Sequence, residues 1–159
     1  MAMHTWFECK IRYEKVMENG MQKKVTEPYL VDALSFTEAE ARIIEEMTPF
    51  ISGEFTVSDI KRANYSELFP SDEESADRWF KCKLIFITLD EKSGAEKKTS
   101  TQVLVQAADL RDAVKKLDEG MKGTMADYQI GMVSETPLMD VYPYSAEPND
   151  KPEIDPSKA

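Results

Sequence analysis

The hexamer WFECKI, at residues 6–11, returns with two changes as WFKCKL at residues 79–84. The similarity then continues after one inserted residue. Gly20 matches Gly94, Lys23 and Lys24 match Lys97 and Lys98, Leu30 and Val31 match Leu104 and Val105, and Ala33, Ala39, Glu45 and Met47 match Ala107, Ala113, Glu119 and Met121. Self-similarity that keeps one register over so long a stretch predicts a duplicated structural unit.

Each copy is predicted to begin with a β-hairpin. In WFECKIRYE apolar and charged side chains alternate, which is typical of a strand with one wet face. WFKCKLIFITL alternates too, but Ile85, Ile87 and Leu89 add apolar character to the other face, as in a more central strand. Gly20 and Gly94 can supply the positive φ of the turns, and TEPYLVDAL and TQVLVQAA are the return strands. Pro28 favours an edge position, because proline cannot donate to a ladder.

A helix is predicted to follow the hairpin in each copy. Ser35 with Glu38, and Asp109 with Asp112, place an N-cap acceptor three residues before an acid that suits the helix dipole. Spacings of three and four residues predict buried stripes of Ala39, Ile43 and Met47 in the first helix, and of Leu110, Ala113, Val114, Leu117 and Met121 in the second. A last strand is expected within EFTVSDIKRANYSEL and within YQIGMVSETPLMDVY.

These elements predict an α+β fold of two tandem strand-strand-helix-strand repeats with six main strands. The helices are expected to pack on antiparallel sheet, and repeats related by a pseudo-twofold would share a core that one repeat could not build. Residues 1–69 form the first predicted repeat, 70–78 an acidic linker, 79–144 the second repeat and 145–159 an acidic tail. The tail has three prolines and no aromatic residue, so we predict that it is disordered.

The composition indicates a soluble globular protein. Of the 159 residues, 42% are hydrophobic, which suffices for one sizeable core, and no stretch is long and apolar enough to span a membrane. The start, MAMHTWFECK, lacks the apolar run of a signal peptide, so we predict a cytoplasmic protein without membrane association. The net charge of -10 argues against unspecific attraction to nucleic acid, although a local basic face stays open.

Side chains that could carry catalysis are few. His4 is the only histidine and lies near the start, where chains fray, which disfavours a histidine mechanism or metal site. Cys9 and Cys82 lie inside strand-like runs and are predicted to be buried reduced thiols. The acids of the first helix are expected on its solvated side, and no phosphate-binding or calcium-binding loop is present. We therefore predict no enzyme, no catalytic residue, no cofactor and no metal.

The most suggestive polar feature is a set of lysines near two tryptophans. The lysine pairs begin the return strands just after the turns, and both tryptophans fall on the polar parity of their strands. A stacking aromatic beside lysines on a sheet is typical of single-stranded nucleic-acid binders. Alternatively, the lysines deter edge-to-edge aggregation and the tryptophans cover the junction of the repeats. The candidate nucleic-acid residues are Trp6, Trp79, Lys10, Lys83, Lys23, Lys24, Lys97 and Lys98.

The segments WFECKIRYEK, EPYLVDALSFTEAEARI and WFKCKLIFITLDEKSG resemble an uncharacterised family. That family is a domain of unknown function seen in Bacteroidetes and in phages or mobile elements associated with them. The resemblance spans most of residues 5–142. Because it carries no catalytic motif, it implies no role for any individual residue.

Three functions are consistent with these observations. We predict a non-catalytic binding or adaptor module that engages an unknown protein partner through sheet edges or the junction groove; an inhibitor or accessory protein in a phage or mobile-element setting is one form of it. The first alternative is a single-stranded nucleic-acid-binding protein. The second is a small-ligand receptor or enzyme with a site at the repeat junction, which would need a deep pocket and perturbed carboxylates. The sequence does not determine the oligomeric state.

Overall fold

The computed structural model describes residues 5–124 and 127–143; the predicted tail, 145–159, lies outside them. The elements are β1 (Thr5–Val16), β2 (Gln22–Ala33), α1 (Phe36–Met47), β3 (Phe55–Ala63), β4 (Glu67–Phe69), β5 (Arg78–Leu89), β6 (Glu96–Ala107), α2 (Leu110–Gly120), β7 (Asp127–Glu135) and β8 (Val141–Tyr142). The chain divides into two compact units. Of the described residues, the first unit contains 5–63 and 140–143, and the second contains 64–124 and 127–139. The described part of each unit has one helix and one sheet of four strands.

The first unit has the strand order β3-β1-β2-β8. β1 pairs antiparallel with both β2 and β3, so it is an inner strand of this sheet. Its alternate residues Phe7, Cys9 and Ile11 are fully buried and share one cluster with Ala39 and Ile43 of α1. The period-two pattern of the strand and the helical stripe thus supply the same core.

The second unit has the strand order β4-β6-β5-β7, with β5 between β6 and β7. Phe80, Cys82 and Leu84 of β5 form one buried cluster with Ala113 and Leu117 of α2. Strand β1 lacks the additional isoleucines of β5 but is an inner strand too. The apolar character of the other face of β5 is therefore not a consequence of its central position.

Both helices begin with the predicted caps. Ser35 Oγ accepts a hydrogen bond from the backbone N–H of Glu38 at 3.1 Å, and Asp109 Oδ1 accepts one from that of Asp112 at 2.8 Å. Asp112 in turn accepts from the N–H of Ala108 at 2.9 Å, and Glu38 makes the equivalent bond to the residue before its own cap. These bonds satisfy backbone donors that have no partner inside the helix.

The predicted stripe is buried completely in α1 and only in part in α2. Ala113 and Leu117 are fully buried, whereas Leu110 is 52% exposed, so its predicted burial is wrong. A helical side chain packs over the turn that precedes it. Leu110 directly follows the N-cap of α2 and has no preceding helical turn, which accounts for its exposure.

The hairpin turns contain the inserted residue. The turn between β5 and β6 is longer than that between β1 and β2, while the strands on either side have equal lengths. Gly20 and Gly94 adopt φ of 83° and 74°, as predicted. Glycine is favoured there because a Cβ atom disfavours the left-handed region.

The prediction of six main strands in antiparallel sheet is incomplete. Each predicted last strand consists of a long antiparallel strand, β3 or β7, and a short parallel strand, β4 or β8. Pro137 lies between β7 and β8. Each sheet is therefore mixed, with a short parallel strand at one edge.

The short strands do not join the sheets of the strands that precede them. β4 follows β3 in the chain but pairs with β6, a strand of the second unit. β8 follows β7 but pairs with β2, a strand of the first unit. The first unit is therefore discontinuous in sequence, and Glu67–Phe69, at the end of the predicted first repeat, belong to the second unit.

The predicted acidic linker, residues 70–78, also lies within the second unit. Arg78 begins β5, and Ala76 is only 3% exposed. Lys116 of α2 donates hydrogen bonds to Ser71 Oγ at 3.0 Å and to Glu73 Oε1 at 2.9 Å. The start of this segment is consequently held on α2.

Candidate functional site

The predicted nucleic-acid residues are divided between the units and between sheet faces. We call the face of each sheet opposite its buried core the outer face. Side chains alternate along a strand, and residues paired directly across strands share a face. The first outer face contains Trp6, Lys10 and Lys24, the second outer face contains Trp79, Lys83 and Lys98, and Lys23 and Lys97 have the opposite parity.

The two tryptophans differ in exposure. Trp79 is only 5% exposed, whereas Trp6 is half-buried. A base stacks on an aromatic ring only where the ring face is open. In this conformation Trp79 therefore offers little surface for stacking, and the tryptophan contribution to such a site would come from Trp6.

The charges on the first outer face are matched across strands. The directly opposed pairs are Glu8 with Lys61, Lys10 with Asp59, and Glu14 with Lys24. Opposite charges at such positions are mildly stabilising, and like charges would repel. Lys10, Lys24 and Lys61 of this face thus have acids directly opposite them, whereas Arg12 lies opposite Thr26 and Thr56.

The corresponding part of the second outer face is apolar. Counted from the tryptophan of each copy, the first sheet has Arg12, Glu14 and Val16, and the second has Ile85, Ile87 and Leu89. Ile85 and Ile87 are half-buried, and Leu89 is 68% exposed. We call Ile85, Ile87 and Leu89 the apolar row. Only Leu89 of the row is largely exposed, and none of the three side chains belongs to the buried core cluster of the second unit.

A bulge in β7 accommodates one end of the apolar row. Gly131 is the extra residue between Met132 and Ile130, which face Lys83 and Leu84 of β5. A Cβ atom at Gly131 would lie 2.9 Å from Ile85 Cδ1, which is too close. Because glycine stands there, the side chain of Ile85 can lie against the backbone of β7. The adjoining Met132 is 40% exposed and extends the apolar surface.

Positive charge next to the apolar row is unmatched. Lys81 lies opposite Leu104 and Ser134, and Lys83 lies opposite Gln102 and Met132. Two acids, Glu96 and Asp127, are paired with Leu89 and Ile87 toward the other end of the row. The second outer face therefore combines apolar side chains with lysines that can attract carboxylates.

Neither cysteine has the surroundings of a nucleophile. Both are buried free thiols. Burial, with a further contribution from Glu8, raises the pKa of Cys9 to about 12, and burial raises the pKa of Cys82 to about 11. Reactive cysteines require a low pKa and access to solvent. Within 5–124 and 127–143 no group of His, Cys, Asp or Glu side chains is arranged to hold a metal ion, and His4 lies outside these ranges.

Sequence reasoning did not identify the apolar row as a site. It used Ile85, Ile87 and Leu89 only to predict the position of their strand. The available signal was their parity, which is opposite to that of Phe80, Cys82 and Leu84, together with charged residues at the equivalent positions of the first copy. That signal becomes interpretable only after the register shows which lysines have acids opposite them.

Comparisons with known proteins give a family but no activity. A family model described as a domain of unknown function, DUF4494, matches residues 5–144. No curated protein matches the chain. Among the described residues, neither helix has the length and apolar character required to cross a membrane.

Proposed function

The chain belongs to the family of the domain of unknown function DUF4494, and we propose that it is a non-catalytic protein-binding module whose docking surface is the second outer face. The observation that carries this proposal is the apolar row, Ile85, Ile87 and Leu89, beside the unmatched Lys81 and Lys83. Apolar side chains that continue across a surface and are bordered by charge are typical of interaction sites.

The contrast with the first unit supports this assignment. A sheet of the same strand order has the charged residues Arg12 and Glu14 at the positions equivalent to Ile85 and Ile87, so packing of the core does not require apolar residues at these two positions. Each exposed aliphatic side chain that a partner covers contributes through the hydrophobic effect, about 25 cal/mol per Å² of apolar surface buried. The neighbouring lysines would orient a partner that presents carboxylates, because charge complementarity sets register and association rate.

Site-specific photo-crosslinking in cells that carry the gene tests the proposal. A benzophenone amino acid replaces Ile87 in one variant and Glu14, its equivalent on the first outer face, in the other. We expect a defined protein adduct from position 87 that is at least about tenfold weaker from position 14, because crosslinking follows contact. Equal labelling from both positions, or no adduct from position 87, would contradict the docking surface.

Single-stranded nucleic-acid binding is a second candidate, supported by the unmatched Lys81 and Lys83. The apolar row is aliphatic, however, and supplies no ring on which a base could stack. The test is the fluorescence anisotropy of a labelled oligonucleotide at increasing salt. Binding through phosphates would weaken as salt rises and in Lys83→Glu, but not in the matched variant Lys10→Glu.

We also infer that the two units arose by tandem duplication. Phe7 faces Val31 as Phe80 faces Val105, which are matched positions in the two copies. Both sheets also have a bulge after the same lysine of the inner strand, Lys10 or Lys83. The cytoplasmic location, the phage or mobile-element setting, and the small-ligand or enzyme alternative at the repeat junction stay predictions.

A further inference from the structure

The two short parallel strands belong to segments with the same residue pattern. The segment of β8 is Asp140-Val141-Tyr142-Pro143, and that of β4 is Glu67-Leu68-Phe69-Pro70. Both read acidic, aliphatic, aromatic, proline. Val141 is paired with Leu30 of β2, and Leu68 is paired with Leu104 of β6, the matched position in the second copy. Each sheet edge thus accepts the same kind of segment at the same place.

The aromatic residue of each segment packs against a core. The ring of Tyr142 stacks on that of Tyr29, with centroids 6.2 Å apart, and lies against the first core. The ring of Phe69 lies against the second core and next to Gly120 of α2, where a Cβ atom would come within 2.9 Å of it. Each edge therefore has a position for one aromatic ring.

A basic residue of each helix contacts the chain just beyond the aromatic residue. Arg42 of α1 donates a hydrogen bond to the carbonyl oxygen of Pro143 at 3.0 Å and another to the carbonyl oxygen of Asp32. Lys116 occupies the matched position on α2 and donates to Ser71 Oγ at 3.0 Å. We call the surface formed by Tyr29, Leu30, Val31 and Arg42 the edge groove of the first unit.

The segment in the first edge groove has fewer contacts than its counterpart. β8 has only two residues paired with β2. In addition, Leu30 of β2 donates its N–H to the carbonyl oxygen of Asp140 at 3.0 Å. Pro28, two residues earlier and facing the same edge, has no N–H to offer. β4 has three paired residues, and Ser71 beyond it is bonded to Gln106 as well as to Lys116. The first segment is therefore the easier one to displace.

We propose that the edge groove of the first unit is a peptide-binding site in which the chain's own Asp140–Pro143 is the resident ligand, and that an extended acidic-aliphatic-aromatic-proline segment of a partner protein takes its place. The two segments of this chain are themselves examples of the motif that such an edge accepts. Strand addition supplies backbone hydrogen bonds, while the ring position and Arg42 supply selectivity. This site is separate from the second outer face and does not depend on it.

A labelled synthetic hexapeptide with the sequence of residues 138–143, LMDVYP, tests the proposal on the full chain. The tethered segment competes at a high effective concentration, so the unmodified protein should bind the peptide weakly. Tyr142→Ala removes the resident ring, and we expect the peptide to bind this variant at least about tenfold more tightly by fluorescence anisotropy. Met139→Ala is the matched control, because Met139 is 51% exposed and lies outside the motif. It should bind like the unmodified chain.

The peptide LMDSSP, which lacks the aliphatic and aromatic residues, should not bind. If Tyr142→Ala unfolds, NMR of the unmodified chain tests peptide binding instead. Excess LMDVYP should shift the amide resonances of Tyr29, Leu30 and Val31, and LMDSSP should leave them unchanged. Equal affinity of Tyr142→Ala and the unmodified chain, or identical shifts with both peptides, would overturn the peptide site. A dimer of the unmodified chain that dissociates on adding LMDVYP would overturn the partner assignment, because the ligand would then be a second copy.

Discussion

The outer faces of the two sheets differ, whereas their cores are built alike. On the first sheet Glu14 faces Lys24, and on the second Ile87 faces Lys98, although the basic partner is the same in both. In each core a phenylalanine, a cysteine and an aliphatic residue alternate along the inner strand and meet a helix. The difference is therefore confined to side chains that point away from these two cores.

The difference between the outer faces helps to distinguish residues that the fold requires from residues that a function requires. A buried position tolerates few changes because packing is dense. The second outer face is also buried at Trp79 and Leu104, but the apolar row beside them is half-buried or exposed, so packing within the unit accounts for it only in part. A partner that covers the apolar row would explain these residues. The first outer face, where acids lie opposite lysines, is the corresponding surface without such a row.

The short strands provide the largest test of whether the units are equivalent. Val141 is 8% exposed in the first unit, and Leu68 is its counterpart in the second. Val141→Asp would place a carboxylate at a buried position and should lower the free energy of unfolding by about 2–4 kcal/mol, and Leu68→Asp, at a half-buried position, should lower it by less. Denaturant unfolding measures the loss, and thiol labelling locates it. Val141→Asp should expose Cys9 before Cys82, and Leu68→Asp should do the reverse.

If Cys9 and Cys82 became reactive at the same rate in either variant, the two units would unfold together. Met139→Ala serves as the control, since it alters an exposed side chain near β8 and should leave both labelling rates unchanged. The chain itself thus provides one buried cysteine per unit as a reporter.

The buried thiols allow the two cores to be compared through the pH dependence of the free energy of unfolding. The folded-state pKa of Cys9, about 12, and that of Cys82, about 11, lie above the unfolded value. The protonated thiol therefore favours the folded state. Its contribution to the free energy of unfolding is fully present below the pKa of the unfolded chain, about 8.5. This contribution is lost as the pH rises through the folded-state pKa. Between about pH 8.5 and 10.5 each thiol should cost about 2 kcal/mol of stability.

The variants Cys9→Ala and Cys82→Ala isolate this effect from other titrations. Each should have a flatter dependence of unfolding free energy on pH than the unmodified chain, measured by urea unfolding at several pH values. The same slope in a variant and in the unmodified chain would mean that its cysteine titrates normally in the folded protein.

Much of the fold could be predicted because its signals are local. The alternation in WFECKIRYE, the Ser35 and Asp109 caps, and the turn glycines each act within a few residues, and the structure has them where the sequence placed them. The parallel strands β4 and β8 could not be predicted, because two or three residues carry no measurable periodicity and their partners are distant in the chain.

The candidate surface was less predictable for the same physical reason. Whether Lys10 or Lys83 contributes net charge depends on the strand beside it. Asp59 faces Lys10 from β3, whereas Gln102 and Met132 flank Lys83. The sequence predicted lysines on a sheet face, but only the register shows that Lys10 has an acid directly opposite it and that Lys83 does not.

The smallest expected effect tests whether the apolar row is structural or functional. Ile87→Glu gives the second outer face the acid that Glu14 supplies on the first, opposite Lys98 instead of Lys24. The new carboxylate would also face Asp127 of β7, and because attraction to Lys98 and repulsion from Asp127 oppose each other, stability should change by no more than about 0.5–1 kcal/mol and the melting temperature should hardly move. The reciprocal variant Glu14→Ile is the control and should be equally mild. A loss of more than about 2 kcal/mol in Ile87→Glu alone, measured by thermal unfolding, would mean that Ile87 belongs to a second core and that the outer face is not free for a partner.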